Sequence, residues 1–316
     1  MHPLAGWGKT LNRWIAALLT LIVLASCERH REAASPGLLT LAIDAGPGSL
    51  DPRLGGDESS RRVHQLLFNG LVRFDEHGEP RGDLASSWDH PEPLLYVFHL
   101  RKGVRFQDGR PFTSDDVRYT IESILNDEVP SFHKGDLSAI RSVETPDSAT
   151  VRFLLKAPFA PFVSTLSQGI LPRGTGGEIG SRPVGTGPFR LLRHRKDQDL
   201  EFEAFDGYFE GAPPVPRLRL KIVPEAISRQ QELLKGSVDL VVNDLTPDQV
   251  EALRRERSLR VLASPSNSYH YLGFNLEDPI LRDAGVRQAV ACAIDRARMV
   301  RILLSGLARP STGLLP

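Results

Sequence analysis

Residues 94–125 constrain this chain more than any other stretch. Leu94, Tyr96, Phe98 and Leu100 recur at period two opposite Leu95, Val97 and His99, which predicts a strand with one strongly apolar face. Arg101-Lys102-Gly103 is expected to turn it, and Val104-Arg105-Phe106 to return as a second strand before Asp108-Gly109. Thr113-Ser114-Asp115-Asp116 then has the residues of a helix start. Thr113 is suited to accept from the Asp116 N–H, and aspartates are favourable at the positive end of a helix. Val117, Ile121, Ile124 and Leu125 follow at i, i+4, i+7 and i+8. A helix is therefore expected to pack one face on the hairpin.

The rest of the chain repeats this alternation without an internal repeat. Leu38 to Ile43 reads as a first strand, and the Asp44-Ala45-Gly46-Pro47-Gly48-Ser49 loop after it allows close backbone approach. A helix is expected over Arg62 to Asn69, ended by Gly70, then a short strand pair about His77-Gly78. Strands follow at 151–155, 189–192, 200–205, 218–223 and 238–242. Ala226 to Lys235 reads as a helix capped by Gly236, and Thr246-Pro247-Asp248-Gln249 as a capping box with proline at the first helical position. The fold class is thus mixed α/β. The length, 316 residues, suits two domains and part of a third. Equal numbers of basic and acidic residues, 39 each, argue against a nucleic-acid partner.

The N-terminus reads as a targeting segment. Lys9 and Arg13 precede the apolar run Trp14 to Ala25, too short for a membrane span of ~20 residues and right for a signal-peptide core. Leu24-Ala25-Ser26-Cys27 resembles the lipobox of bacterial lipoproteins, in which the cysteine sulfur is acylated before cleavage. Residues 1–26 are accordingly expected to be removed, leaving Cys27 as the lipidation site and 27–37 as a flexible tether. The processed chain would carry 37 basic against 39 acidic residues and, with Cys27 acylated, a single free cysteine, Cys292. More than one acyl chain gives stable anchoring outside the cytoplasmic membrane.

Several segments, in order, resemble bacterial extracellular solute-binding proteins of family 5, the peptide/nickel class that serves ABC importers. They are Ser49-Leu50-Asp51-Pro52; Phe68-Asn69-Gly70-Leu71-Val72; Leu84-Ala85-Ser86-Ser87-Trp88; Tyr96 through Val117; Val184-Gly185-Thr186-Gly187-Pro188-Phe189; Ala204 through Phe209; and Asp283 through Val290. Gln107 stands where the family often has histidine. The resemblance implies a two-lobed, periplasmic-binding-protein-like clamp with an extra subdomain. Lobe I would comprise 38–58 and 184–262, the subdomain 59–183, and the start of lobe II 263–316. Ala308 through Pro316 resembles a point well inside lobe II, so the second lobe is expected to be truncated.

Such a clamp would capture short peptides, or a related small solute, and deliver them to an ABC permease in the cytoplasmic membrane, with no catalysis and no cofactor. Recognition would run largely through backbone hydrogen bonds. The cleft candidates are Gly46, Pro47, Gly48 and Ser49, and Asn267, Ser268, Tyr269, His270 and Tyr271. The glycine loop also reads as a plain turn, and the two tyrosines as core. A different class, an interaction or signalling lipoprotein that keeps the fold without transporting a solute, fits the same segments. Other chemistry is not expected: the nine histidines show no metal-ligand spacing, Gly174-Thr175-Gly176-Gly177 lacks the Lys-Ser/Thr of a P-loop, and there is no nucleophile elbow. Cys292, Trp88 and Asn275 are expected in structural roles.

Overall fold

The computed structural model describes residues 37–242, 245–264, 269–311 and 313. The segments expected as signal peptide and lipid site, with most of the tether, lie outside these. The chain divides into two compact units, Met1–Val242 and Asn243–Pro316.

The first unit contains two main sheets and a short two-stranded one. The larger is built from β1 (Leu38–Ile43), β8 (Phe189–Arg195), β9 (Asp199–Ala204), β10 (Arg217–Ile222) and β11 (Leu240–Val241), in the order β11-β1-β10-β9-β8. β1 runs parallel to β10 and β11, whereas β8, β9 and β10 form an antiparallel meander. One face carries Ile43, Leu200, Phe202, Leu218 and Leu220, all buried. Against it packs α1 (Glu58–Leu67), whose Val63 and Leu67 are fully buried in the same core. The helix begins four residues earlier than the hydrophobic spacing suggests. Asp57 is the N-cap, its carboxylate accepting from the Ser60 N–H at 2.8 Å, and a cap leaves no apolar trace in the sequence.

The second sheet holds β4 (Ala85–Glu92), β5 (Leu95–Leu100), β6 (Ile140–Asp147) and β7 (Thr150–Leu155), all antiparallel, in the order β4-β5-β7-β6. β5 alternates as its sequence does, with Tyr96, Phe98 and Leu100 buried. Helix α2 (Ser114–Leu125) buries Val117, Ile121 and Ile124 in the same core. Trp88 packs at its margin, stacked on Phe98 with ring centroids 5.9 Å apart. Two expectations need correction. Residues 104–106 form no strand: only an isolated bridge joins Arg105 to Pro111, with Phe106 and Phe112 edge to face at 6.1 Å. β5 instead pairs with β4 and β7, and α2 lies against β6 and β7 rather than on a 95–106 hairpin. The short pair β2 (Val72–Phe74) and β3 (Pro80–Gly82), the one-turn α3 (Lys134–Leu137), α4 (Ala226–Lys235) and two 3-10 helices, Ala160–Leu166 and Gly177–Gly180, complete the unit. α4 ends on Gly236 at φ 74°, the left-handed cap its glycine predicts.

The second unit contains α5 (Pro247–Arg254), α6 (Ala284–Ala293) and α7 (Arg296–Leu303). Thr246 and Gln249 form the expected capping box on α5. No residue of α6 or α7 is buried, and Cys292, expected in a core, is exposed. The apolar face of α6 meets too little of the described chain to enclose it.

Candidate functional site

Ligands of open α/β sheets collect beyond the carboxyl ends of the parallel strands, and in this chain the loop 44–49 leaves β1 at that edge. Its far end is fixed to α1. The Ser49 N–H donates to Ser60 Oγ at 3.2 Å, the Ser49 carbonyl accepts from His64 Nε2 at 2.9 Å, and the Ser49 hydroxyl accepts from the Asp51 N–H at 3.1 Å. A carbonyl only accepts, so Nε2 carries the proton. Burial pushes the His64 pKa below its ordinary value despite that bond and the neighbouring Asp51 and Asp57. Burial would raise the Asp57 carboxyl, but donation from Ser60, from its hydroxyl at 2.5 Å and its N–H, together with the Gly48 N–H, holds it below the usual range.

The other half of the loop is left open. The N–H groups of Ala45 and Gly46 meet no protein acceptor among the described residues. Ala45 and Gly48 are exposed, and Gly46 and Pro47 half-buried. Such a loop, rigid at Ser49 and unpaired at 45–46, offers backbone donors to an extended ligand. Asp57, Ser60 and His64 were not singled out in the sequence. The one available signal was the Asp-x-x-Ser spacing of a helix cap.

Of the second group of candidates, Tyr269, His270 and Tyr271 lie in the second unit, exposed, with the two tyrosine rings 5.6 Å apart. Asn267 and Ser268 lie outside the described residues, as does Cys27. Asn275 forms a local turn, its side-chain oxygen accepting from the Glu277 N–H at 3.0 Å. Among the described residues no group of three or more His, Cys, Asp or Glu side chains is placed to hold a metal ion.

The residues that carry the sequence resemblance hold the first unit together. Asn69 donates to both oxygens of Asp83, at 3.0 and 3.1 Å, and accepts from the Thr186 hydroxyl at 3.0 Å. Tyr208 lies 3.4 Å from the same amide, and Arg101 donates to the Asp83 carbonyl at 2.6 Å. Desolvation lifts the Asp83 carboxyl to about 6, opposed by the Asn69 bonds and by Arg73. Gln107 has an equally clear task. Its amide reaches the carbonyls of Phe189 (2.7 Å), Gly187 (3.1 Å) and Leu67 (3.3 Å), and accepts from the Gly185 N–H at 3.3 Å. The approach is close enough to require glycine: a Cβ on Gly185 would lie 2.0 Å from the Leu67 carbonyl oxygen, and one on Gly187 2.5 Å from the Leu67 carbonyl carbon.

With this geometry in place, comparison with known proteins is decisive. Residues 79–316 match the pattern described as bacterial extracellular solute-binding proteins, family 5 Middle. Di/tripeptide-binding protein 2 of Pseudomonas aeruginosa is 29% identical over 94% of this chain and 62% of its own. The probable D,D-dipeptide-binding periplasmic protein DdpA of Escherichia coli is 30% identical over 95% of this chain and 61% of its own. Among solved structures, NikZ from Campylobacter jejuni, in complex with Ni(L-His), superimposes with a TM-score of 0.81 at 29% identity, covering 89% of this chain and 58% of that one. DppA from Helicobacter pylori, in complex with the peptide STSA, gives 0.76 at 26% identity, covering 88% and 60%. The chain thus spans about three fifths of the length of these relatives. Its mixed α/β fold is that of periplasmic binding proteins, and the chain belongs to the bacterial extracellular solute-binding proteins, family 5.

Proposed function

We propose that this chain is part of a lipid-anchored solute-binding subunit of an ABC importer, which captures short peptides and presents them to the permease without chemical turnover. The observation that carries the reading is the family match over residues 79–316, together with peptide-binding relatives in which the same span recurs. In this reading 38–58 and 184–262 form lobe I, 59–183 its subdomain, and 263–316 the start of lobe II. The ligand-binding residues in this reading are Gly46, Pro47, Gly48 and Ser49, together with Asn267, Ser268, Tyr269, His270 and Tyr271. The unpaired N–H groups of Ala45 and Gly46 suit this use. Backbone groups read backbone groups, so side chains of many kinds are tolerated. A ligand closes the clamp only by its differential affinity for the closed form; a micromolar ligand supplies about 8 kcal/mol in all, part of which offsets ordering of the hinge.

The test is to purify the protein at its natural length from its own host, denature it and identify the small molecules released by mass spectrometry. Peptides of a few residues are expected. Release of nickel chelates or opines instead overturns the peptide assignment, and cleavage of added peptide overturns the binding role. Anchoring through Cys27 has its own test: Cys27→Ser should abolish incorporation of radiolabelled palmitate and release the protein from membranes.

A further inference from the structure

A cavity of about 700 Å³ opens in the first unit, away from the loop 44–49. It lies where the end of β5 and its turn (99–104) meet the β6–β7 turn (147–150), and Phe209, from the loop after β9, forms one wall. Its volume falls in the range of about 300–1,000 Å³ that small-molecule sites occupy, and none of the residues proposed for peptide capture lines it.

Arg101 in its lining is held at two points. Its Nε donates to the Asp83 carbonyl at 2.6 Å, and its guanidinium carbon lies 5.6 Å from the centroid of the Phe209 ring. One edge and one face of the guanidinium are thereby fixed, and the side chain is half-buried. Its two terminal nitrogens meet no acceptor among the described residues, and neither does the ammonium of the adjacent, exposed Lys102. Asp147, the acidic residue of the lining, is exposed and engages its own hairpin, one carboxylate oxygen accepting from the Ala149 N–H at 2.8 Å. His99, also in the lining, bonds to Asp89 at 2.8 Å. A pre-ordered guanidinium with an open fork and a second cation beside it match the planar, two-oxygen geometry of a carboxylate. Leu100, Val104 and Phe209 supply an apolar wall for the ligand's carbon skeleton.

We propose that this cavity is a second binding site, for a small carboxylate-bearing molecule held by Arg101 and Lys102, separate from the peptide cleft. Its volume favours a small molecule. The site does not depend on the proposed peptide function and stands or falls separately.

The test is an amide-resolved NMR titration of the chain with succinate, and with succinamide as its uncharged counterpart. Succinate should give saturable shifts at Lys102, Ala149 and Thr150, and succinamide should give none. Lys102→Glu, on an exposed side chain that bears no fold contact, should weaken succinate binding roughly tenfold or more, the worth of a charge-assisted hydrogen bond. Arg101→Gln should abolish it. Succinate binding that is unchanged in Lys102→Glu, shifts of equal size with succinamide, or no saturable shift at these amides overturns the proposal. Should Arg101→Gln fail to fold, the Lys102→Glu comparison decides alone.

Discussion

Two buried acids carry opposite consequences for this protein, because one is neutralised by a cation and the other is not. Asp51 and Arg53 pair with both side chains 4% exposed; Nη2 reaches Oδ2 at 2.7 Å, Nε reaches Oδ1 at 3.0 Å, and Nη1 extends to Ser123 on α2 at 3.2 Å. Removing the cation leaves a buried carboxylate uncompensated, so Arg53→Met should destabilise the first unit by about 3–5 kcal/mol. Urea melts followed by Trp88 fluorescence measure this, and a loss under 1 kcal/mol would show that the pair is structurally idle. Asp83 has amide and hydroxyl neighbours, and its carboxyl is lifted by desolvation from 3.8 to about 6. The sign follows directly. The unfolded chain releases this proton near pH 4 and the folded one near pH 6, so between those values the folded state binds more protons and stability falls as pH rises. Two pH units correspond to roughly 3 kcal/mol. Asp83→Asn removes the titration, so the variant should gain by that amount relative to the parent between pH 4 and pH 7.5. A difference between the two melts that stays flat across that range sinks the assignment. Burial of His64 acts in the opposite direction, since the unfolded state must release a proton that folded His64 has already lost. It is common to both proteins and cancels.

Among the elements, those fixed by local chemistry were legible and those fixed by pairing partners were not. The α4 boundaries follow from Ala226 to the Gly236 cap, and the α5 start from Thr246, Pro247 and Gln249, because cap and left-handed glycine are properties of a few adjacent residues. The alternation of β5 and the spacing of α2 are local in the same sense. Which strand pairs with β5 is not. The turn at 101–103 sends the chain toward 104–106, yet β4 and β7, one before and one some fifty residues later, take both edges of β5. Of the candidate site, the glycine loop after β1 was visible as a loop, but its tether to Ser60 and His64 needed the α1 start that apolar spacing hides. The loss from breaking the best-read element follows from its burial. Ile121 of α2 is 0% exposed amid Val117, Phe153 and Phe162. Ile121→Ala should therefore cost about 2–5 kcal/mol, whereas truncating Glu122 to alanine, half-buried and with no side-chain hydrogen bond or ion pair among the described residues, should change stability by less than about 0.5 kcal/mol. Thermal melts of the two variants give the contrast directly, and equal effects would remove α2 from the core.

At the scale of the molecule, the two units differ in how much of their structure is enclosed. The first has two apolar cores with several fully buried aromatic rings, among them Phe98, Phe153, Phe162 and Phe202. In the second, α6 and α7 are 10 and 8 residues long and bury nothing, while Ile280, Met299, Ile302 and Leu303 stand 47–67% exposed. Helices below about 12–15 residues are marginal in water unless an apolar face is covered. The relatives are longer than the span this chain matches, and we propose that residues of the longer protein cover this face. Hydrogen exchange separates this account from one in which the helices are stable by themselves. In the 316-residue chain, amides of α2 and β5 should exchange only through opening of their core, whereas those of α6 and α7 should exchange nearly as fast as unstructured peptide. The same chain should bind an apolar dye at the second unit, and peptides only weakly if the uncovered face takes part in capture. Protection of α6 equal to that of α2, or tight calorimetric binding of a tripeptide by this chain, would mean that residues 243–316 form a finished lobe and that enclosure does not require more of the protein.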